Sequence, residues 1–260
     1  MNLPRPAWLA LFVAITLFPP AAADSPAFAA EPAQPDGWVA RHEWLAQPAG
    51  DETAGHLRHS QGIRYLTIHH TQGDTPAATT RDGALAAVRG IYAFHRGDPR
   101  KWGETAYHYF ISPGGLIIEG RAEEFQTDSG TTYSKSPTGR DGHLCISLLG
   151  DFRTLEEKRA ELRDDIRAET ARANAAAAEQ GQPAPYPQAE IDAAVTRALA
   201  NLGSRPDTPP TPAALQALDR LLAYARAKHR LPRTALYTHR EVAESNCPGT
   251  LLQSEIEKRR

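Results

Sequence analysis

The stretch that most constrains the fold is Leu144 to Leu149, Leu-Cys-Ile-Ser-Leu-Leu, a near-continuous apolar run. A strand that is apolar on both faces must be covered on both, which puts it in the interior of a sheet. Ile63 to His69 predicts a second strand by alternation, with Ile63, Tyr65, Thr67 and His69 on one face and Leu66 and Ile68 on the other. Tyr107–Ile111 and Leu116–Glu119 read as two more strands joined by the Pro113-Gly114-Gly115 turn. A last short strand, Thr234–Thr238, delivers His239. Helical spacing runs through Leu85, Val88, Tyr92 and His95 and stops at Gly97-Asp98-Pro99. Thr211-Pro212 opens another helix, with Pro at the first helical position and a stripe of Leu215, Leu218, Leu222 and Ala225. A chain of 260 residues can bury one substantial core with room for an added subdomain.

The composition changes after Phe152. Thr154-Leu-Glu-Glu157 is a capping box, and a charged, Ala-rich helix should run to about Gln180 with a thin stripe of Leu155, Leu162 and Ile166. Gly181 to Pro187 breaks it, and Ile191, Val195, Leu199 and Leu202 line a second helix. Residues 153–208 therefore read as an inserted antiparallel helical hairpin, either a solvated support or a lid or docking arm. At the other end, Leu9 to Phe18 is a short apolar core followed by Pro19-Pro20 and small residues. That reads as a secretory signal peptide over residues 1–30, cleaved after Ala23 or near Ala29–Ala30. An uncleaved membrane anchor is the alternative, but the run is well short of the roughly 20 residues a spanning helix needs. The mature protein, 31–260, would be periplasmic or secreted, with no stable membrane insertion. A polar linker, 31–37, leads to Trp38 and Trp44, whose rings should dock onto the domain.

A net charge of -2 and a pI near 6.6, with no Lys/Arg stripe interleaved with aromatics, argue against nucleic-acid binding. The 2 cysteines, Cys145 and Cys247, do not make a disulfide scaffold. His239 and Cys247 lie close together in the chain, and both side chains suit a borderline-soft metal. His69, at a strand end, offers a third ligand. Two imidazoles and a thiolate leaving a position open would be the arrangement of a catalytic zinc site. Taken singly, His69 reads rather as a hydrogen-bonded structural histidine and Cys247 as a plain buried thiol, and Tyr107 reads equally as a packed aromatic. His70 points to the opposite face from His69 and reads as structural.

Several segments resemble the type 2 N-acetylmuramoyl-L-alanine amidase family, which includes the peptidoglycan recognition proteins and phage amidase lysozymes. They are Arg41-His-Glu-Trp44, Ile68-His69-His70-Thr71, Trp102-Gly-Glu-Thr-Ala-Tyr107-His-Tyr-Phe-Ile111, Gly115-Leu-Ile-Ile-Glu119-Gly-Arg121, Ile146-Ser-Leu-Leu-Gly-Asp-Phe152 and His239-Arg-Glu-Val-Ala-Glu-Ser-Asn-Cys247-Pro-Gly249. They cover about 38–152 and 209–252 in the family's order. The resemblance implies an α/β fold, a mixed central sheet flanked by helices, with Zn2+ at one end of a groove. It implies hydrolysis of the amide between N-acetylmuramic acid and L-alanine in peptidoglycan. His69, His239 and Cys247 would bind zinc, Tyr107 would face the reacting carbonyl, and Ser245 stands where relatives place Thr or Lys. Amide hydrolysis needs a nucleophile effective at neutral pH and a stabilised oxyanion, which zinc and a phenol together supply.

The departures are specific. Ser147 stands where the anhydromuropeptide-cleaving branch has a catalytic Glu, and Cys247 where that branch has Asp; both favour the recognition-protein or phage-like branch. The His that many relatives carry before the core strand is missing from Gln126-Thr-Asp-Ser-Gly130. Lys101-Trp102 occupies the position where relatives discriminate diaminopimelate from lysine, with Lys in place of the usual Gly. Cys145, where relatives carry Gly, should share the groove face with Ser147, and a Cys145–Cys247 disulfide would destroy the site. A binding module that holds peptidoglycan without cutting it, and a zinc hydrolase of another acyl or peptide bond, are the alternative functions.

Overall fold

The computed structural model describes residues 31–45, 57–73, 76–97, 99–128, 132–204 and 206–260. The expected signal peptide, 1–30, lies outside them, as do Asp98 and part of the loop before the core strand. Among the described residues six strands form one sheet: β1 (Trp38–Val39), β2 (Tyr65–His70), β3 (Tyr109–Ile111), β4 (Ile117–Glu119), β5 (His143–Leu148) and β6 (Leu236–Thr238). Their order is β1-β4-β3-β5-β2-β6. Only β3–β4, the tight hairpin, is antiparallel; the other pairings are parallel. The apolar run of β5 is interior, between β3 and β2, with every residue from His143 to Leu148 buried.

Among the described residues seven α-helices accompany the sheet: α1 (Arg41–Trp44), α2 (Arg81–Arg96), α3 (Leu155–Glu179), α4 (Gln188–Leu202), α5 (Pro212–His229), α6 (His239–Val242) and α7 (Thr250–Glu257). The period-2 alternation of the strands sorts the core into faces. Leu66, Ile68, Ile111, Leu144, Ile146 and Leu148 pack against Leu218, Leu221 and Leu222 of α5 and Leu252 and Ile256 of α7. On the other face Phe110 and Ile118 pack under Leu85, Val88 and Tyr92 of α2 and under Trp44. That second cover sits over β3 and β4. Further along the same face, β2 and β5 present Thr67, His69, Cys145 and Ser147, and the site forms there.

The docking expected of Trp38 and Trp44 is seen: Trp38 packs edge-on against Tyr109 and Tyr224, and Trp44 donates Nε1–H to Glu119 O at 2.7 Å. The helix starts follow their capping chemistry. Thr80, Thr154 and Thr211 each accept a backbone N–H of the first turn, and Pro212 follows Thr211.

Some expectations need correction. The strand predicted over Tyr107–Ile111 begins only at Tyr109. The consecutive amides of Gly120 and Arg121 donate to His108 O and Tyr107 O, which breaks the antiparallel alternation and leaves Tyr107 ahead of the ladder. The strand predicted over Thr234–Thr238 is shortened by a 3-10 turn at Arg233–Ala235. Leu215 is only half-buried; Ala214, Ala217 and Leu221 fill the stripe beside Leu218, Leu222 and Ala225.

The helical pair 153–208 is present and antiparallel. Near the base, Leu155 N–H donates to Asp207 and Arg159 to Gly203 O; near the tip, Asn174 and Tyr186 exchange two hydrogen bonds. Thr170 is the one buried residue of α3, while Ile191 and Val195 of α4 are buried. The thin stripe of α3 thus buries little of that helix.

Candidate metal centre

Three short pieces of backbone bring the candidate ligands together. β2 carries His69, whose register partner on β5 is Ser147, one pleat along from Thr67–Cys145. β6 ends at Thr238, and His239 opens α6. Glu241 holds that turn, accepting from Thr238 N–H and Oγ1–H at 2.7 and 2.9 Å. The chain then loops back so that Arg240 N–H donates to Cys247 O at 2.9 Å and Gly249 N–H to Asn246 O at 2.8 Å. Gly249 is required there. Its φ is +84°, and a Cβ would fall 2.3 Å from the Phe152 carbonyl carbon. This close approach seats the loop on the end of β5 and turns Cys247 Sγ toward β2, where it accepts His70 N–H at 3.4 Å.

The ligand atoms of His69, His239 and Cys247 lie within 4.8 Å of one another, and all three residues are buried. Cys247 Sγ is 3.7 Å from His69 Nδ1, and the rings of His69 and His239 have centroids 4.5 Å apart. Tetrahedral zinc with Zn–N and Zn–S bonds of about 2.05 and 2.3 Å would separate such atoms by about 3.6 Å. The Cys247–His69 spacing therefore fits the ion. So does the chemistry. Burial, with help from the other histidines, holds His69 well below the ordinary imidazole range, and burial lowers His239 to about 4, so both offer a neutral lone pair at neutral pH. Burial pushes the Cys247 thiol up to about 12 without a cation, a shift that a dication reverses. Cys145 and Cys247 are both free thiols.

The remaining predicted residues fall around this trio. Tyr107 is half-buried, and its ring centroid is 5.1 Å from that of His69. Burial first, then the neighbouring Cys247 and Cys145, raise the phenol far above its ordinary pKa, while the nearby Ser147 hydroxyl acts in the opposite direction; the phenol stays protonated. Ser147 Oγ is buried and has no hydrogen-bond partner of good geometry among the described residues. Ser245 Oγ accepts Cys247 N–H at 3.1 Å, which braces the ligand loop and leaves its own O–H to donate elsewhere. His70 is structural, as expected: its Nδ1 accepts Phe152 N–H at 3.2 Å.

Tyr133 was not anticipated. It is 1% exposed, and its hydroxyl lies 3.0 Å from His69 Nε2. Its signal in the sequence is faint: it is the lone large apolar side chain in the Ser/Thr/Gly-rich loop 127–142. Tyr133 and Trp102 also border a cleft of about 930 Å³ with Arg58, Lys101 and Arg140 on its walls. A volume of that order accommodates an extended polar ligand.

A mixed sheet thus gathers two neutral imidazoles and a thiol beside an open polar cleft, a donor set that could hold a metal ion. The sequence profile of the N-acetylmuramoyl-L-alanine amidase family matches residues 59–250, and the chain belongs to that family. Peptidoglycan-recognition protein SC2 of Drosophila simulans is 26% identical over 116 residues, 45% of this chain and 56% of the relative. An N-acetylmuramoyl-L-alanine amidase of Mus musculus is 32% identical over 59 residues, 23% of this chain and 11% of the relative. The chain thus spans about half the length of the first relative and a small part of the second. The crystal structure of Drosophila peptidoglycan recognition protein SD superposes with a TM-score of 0.55 at 19% identity, covering 87% of this chain and 95% of that one. This likeness shows the shared fold.

Proposed function

We propose that the protein is a periplasmic or secreted zinc amidase that hydrolyses the bond between N-acetylmuramic acid and L-alanine in peptidoglycan. In this reading residues 31–260 form the catalytic unit, with 153–208 inserted, and 1–30 a secretory leader. The observation that carries it is the convergence of three buried ligand atoms, from His69, His239 and Cys247, within 4.8 Å. Family membership supports the amide substrate, and the relatives named as recognition proteins support a peptidoglycan ligand. Among the described residues no helix is long and apolar enough to cross a membrane.

A zinc ion on these three ligands would supply Lewis acidity, making water a nucleophile at neutral pH and polarising the scissile carbonyl. The chain's own groups do the rest. Tyr107 keeps its proton at any physiological pH and donates it in a hydrogen bond to the oxyanion that develops on the carbonyl. Ser245 adds a second O–H near the Cys247 end, since its lone pair, not its proton, is used by the loop. Arg58, Arg100 and Lys101 on the cleft wall suit the carboxylates of a stem peptide, while Arg140 there pairs with Asp128.

The test is zinc content together with product analysis. The wild type should hold about one zinc, and His239→Ala should lose both metal and release of stem peptides. Full cleavage by the metal-free variant would reject the proposal. The second reading, a module that binds peptidoglycan without cutting, rests on the recognition-protein relatives. Muropeptide affinity with bound zinc and no released peptide would favour it.

A further inference from the structure

We infer that Tyr133 is a positioning residue for His69, the middle of a one-way hydrogen-bond chain that continues to Cys145 and the carbonyl of His143. The inference rests on the zinc reading for its purpose and for the sense of the chain; the contacts themselves stand without it. Tyr133 Oη lies 3.0 Å from His69 Nε2 and 3.1 Å from Cys145 Sγ. Cys145 Sγ in turn lies 3.9 Å from His143 O, within reach of a weak S–H donor. Tyr133 and Cys145 are 1% and 0% exposed, so solvent does not compete for these contacts. The Tyr133 ring also lies at 27° to the His69 ring, with centroids 6.3 Å apart.

The direction of the chain follows from its two ends. At one end, His69 Nδ1 faces Cys247 and must be bare of a proton to offer a lone pair. A neutral imidazole then carries its proton on Nε2, which donates to Tyr133 Oη. The phenol hydrogen is left to donate to Cys145 Sγ. At the other end, the His143 carbonyl can only accept, so the thiol hydrogen points to it. Tyr133 Oη and Cys145 Sγ each accept once and donate once along the chain, in a single sense. A ligand histidine is commonly held by a partner on its other nitrogen, which sets tautomer and ring orientation and raises ligand basicity. Here a phenol does this, backed by a thiol. The chain also assigns a role to Cys145, where a strand residue without a side-chain hydrogen-bonding group would leave the phenol hydrogen without this acceptor.

Tyr133→Phe keeps the ring and removes only the hydroxyl. Two measurements are made on wild type and variant: zinc affinity by competition with a chromophoric chelator, and the His69 tautomer in the metal-free proteins from long-range proton–nitrogen couplings. The wild type should show His69 in the Nε2–H form. Y133F should bind zinc about 10–100-fold more weakly and lose the single tautomer. Cys145→Ser, which keeps an acceptor and a donor, should retain both properties. Unchanged zinc affinity and tautomer in Y133F, or an Nδ1–H tautomer in the wild type, would overturn the inference. A wild type that takes up no zinc would reject the zinc reading instead, and the tautomer would still decide this one.

Discussion

Glu157, in the first turn of α3, accepts from the Arg240 guanidinium at 3.2 Å, and Arg240 in turn donates its backbone N–H to the Cys247 carbonyl at 2.9 Å. The same carboxylate accepts Thr154 N–H at 2.8 Å, Thr250 N–H at 3.0 Å and Thr250 Oγ1–H at 2.7 Å. One side chain thus caps α3, caps α7 and braces the candidate ligand loop. The hairpin is tied to the candidate ligand loop through its base.

Glu157→Ala should therefore cost about 1–2 kcal/mol, since it removes a cap and several charge-assisted bonds. Tm should fall by about 2–4 °C for each kcal/mol in a domain of this size. Zinc affinity should fall with it, while far-ultraviolet circular dichroism keeps its helical signal. Glu156→Ala is the control. Glu156 pairs with Arg163 on an exposed face, so its loss should change stability by no more than about 0.5 kcal/mol.

Tyr107→Phe should lower kcat by about 10²–10³-fold with little change in KM or zinc content, as expected when one oxyanion donor is removed. Ser245→Ala should differ in kind. It also unties the Cys247 amide, so zinc affinity falls along with the rate, and Ser245→Thr should restore both. Steady-state kinetics with metal analysis separates the two patterns. A Y107F enzyme of wild-type kcat would remove Tyr107 from the chemistry.

The pH dependence of stability follows from buried neutral histidines. His108 accepts Cys145 N–H on Nδ1 and donates Nε2–H to Phe125 O, both at 2.9 Å, so a neutral ring satisfies both nitrogens. Burial, partly countered by the Phe125 carbonyl, lowers its pKa from 6.5 to about 4. Burial likewise lowers His95, whose Nδ1 accepts Ala106 N–H at 3.1 Å, to about 4. Between those values the unfolded chain binds more protons than the folded one, so stability rises with pH there. The urea midpoint should be highest near neutrality and fall as pH drops from about 6.5 toward about 4. A midpoint that stays constant across that window would contradict this.

The strands that position the site were legible because burial imposes a period. Leu66 and Ile68 against Thr67 and His69 separate core from site before any contact is known. His239 and Cys247 were legible because the two ligand types sit in one short loop. Tyr133 was not, because loop 127–142 has no periodicity and its tyrosine reaches His69 only through the pairing of β2 with β5. Tyr107 was found as a residue but misplaced as a strand member, since the Gly120–Arg121 irregularity is a matter of backbone bonding. β1 and α1 are too short to leave a pattern and owe their order to Trp38 and Trp44 docking on the sheet. The coupling of Glu157 to Arg240 joins residues far apart in the chain, and local capping chemistry revealed only half of it.

The most direct measurement is product analysis of purified peptidoglycan digested by the wild-type protein, with and without a metal chelator. Stem peptides with a free L-alanine amino terminus should be released, release should stop with chelator, and added zinc should restore it. Zinc-loaded protein that binds the polymer and releases no peptide, or cleavage that persists in chelator, would contradict a zinc amidase.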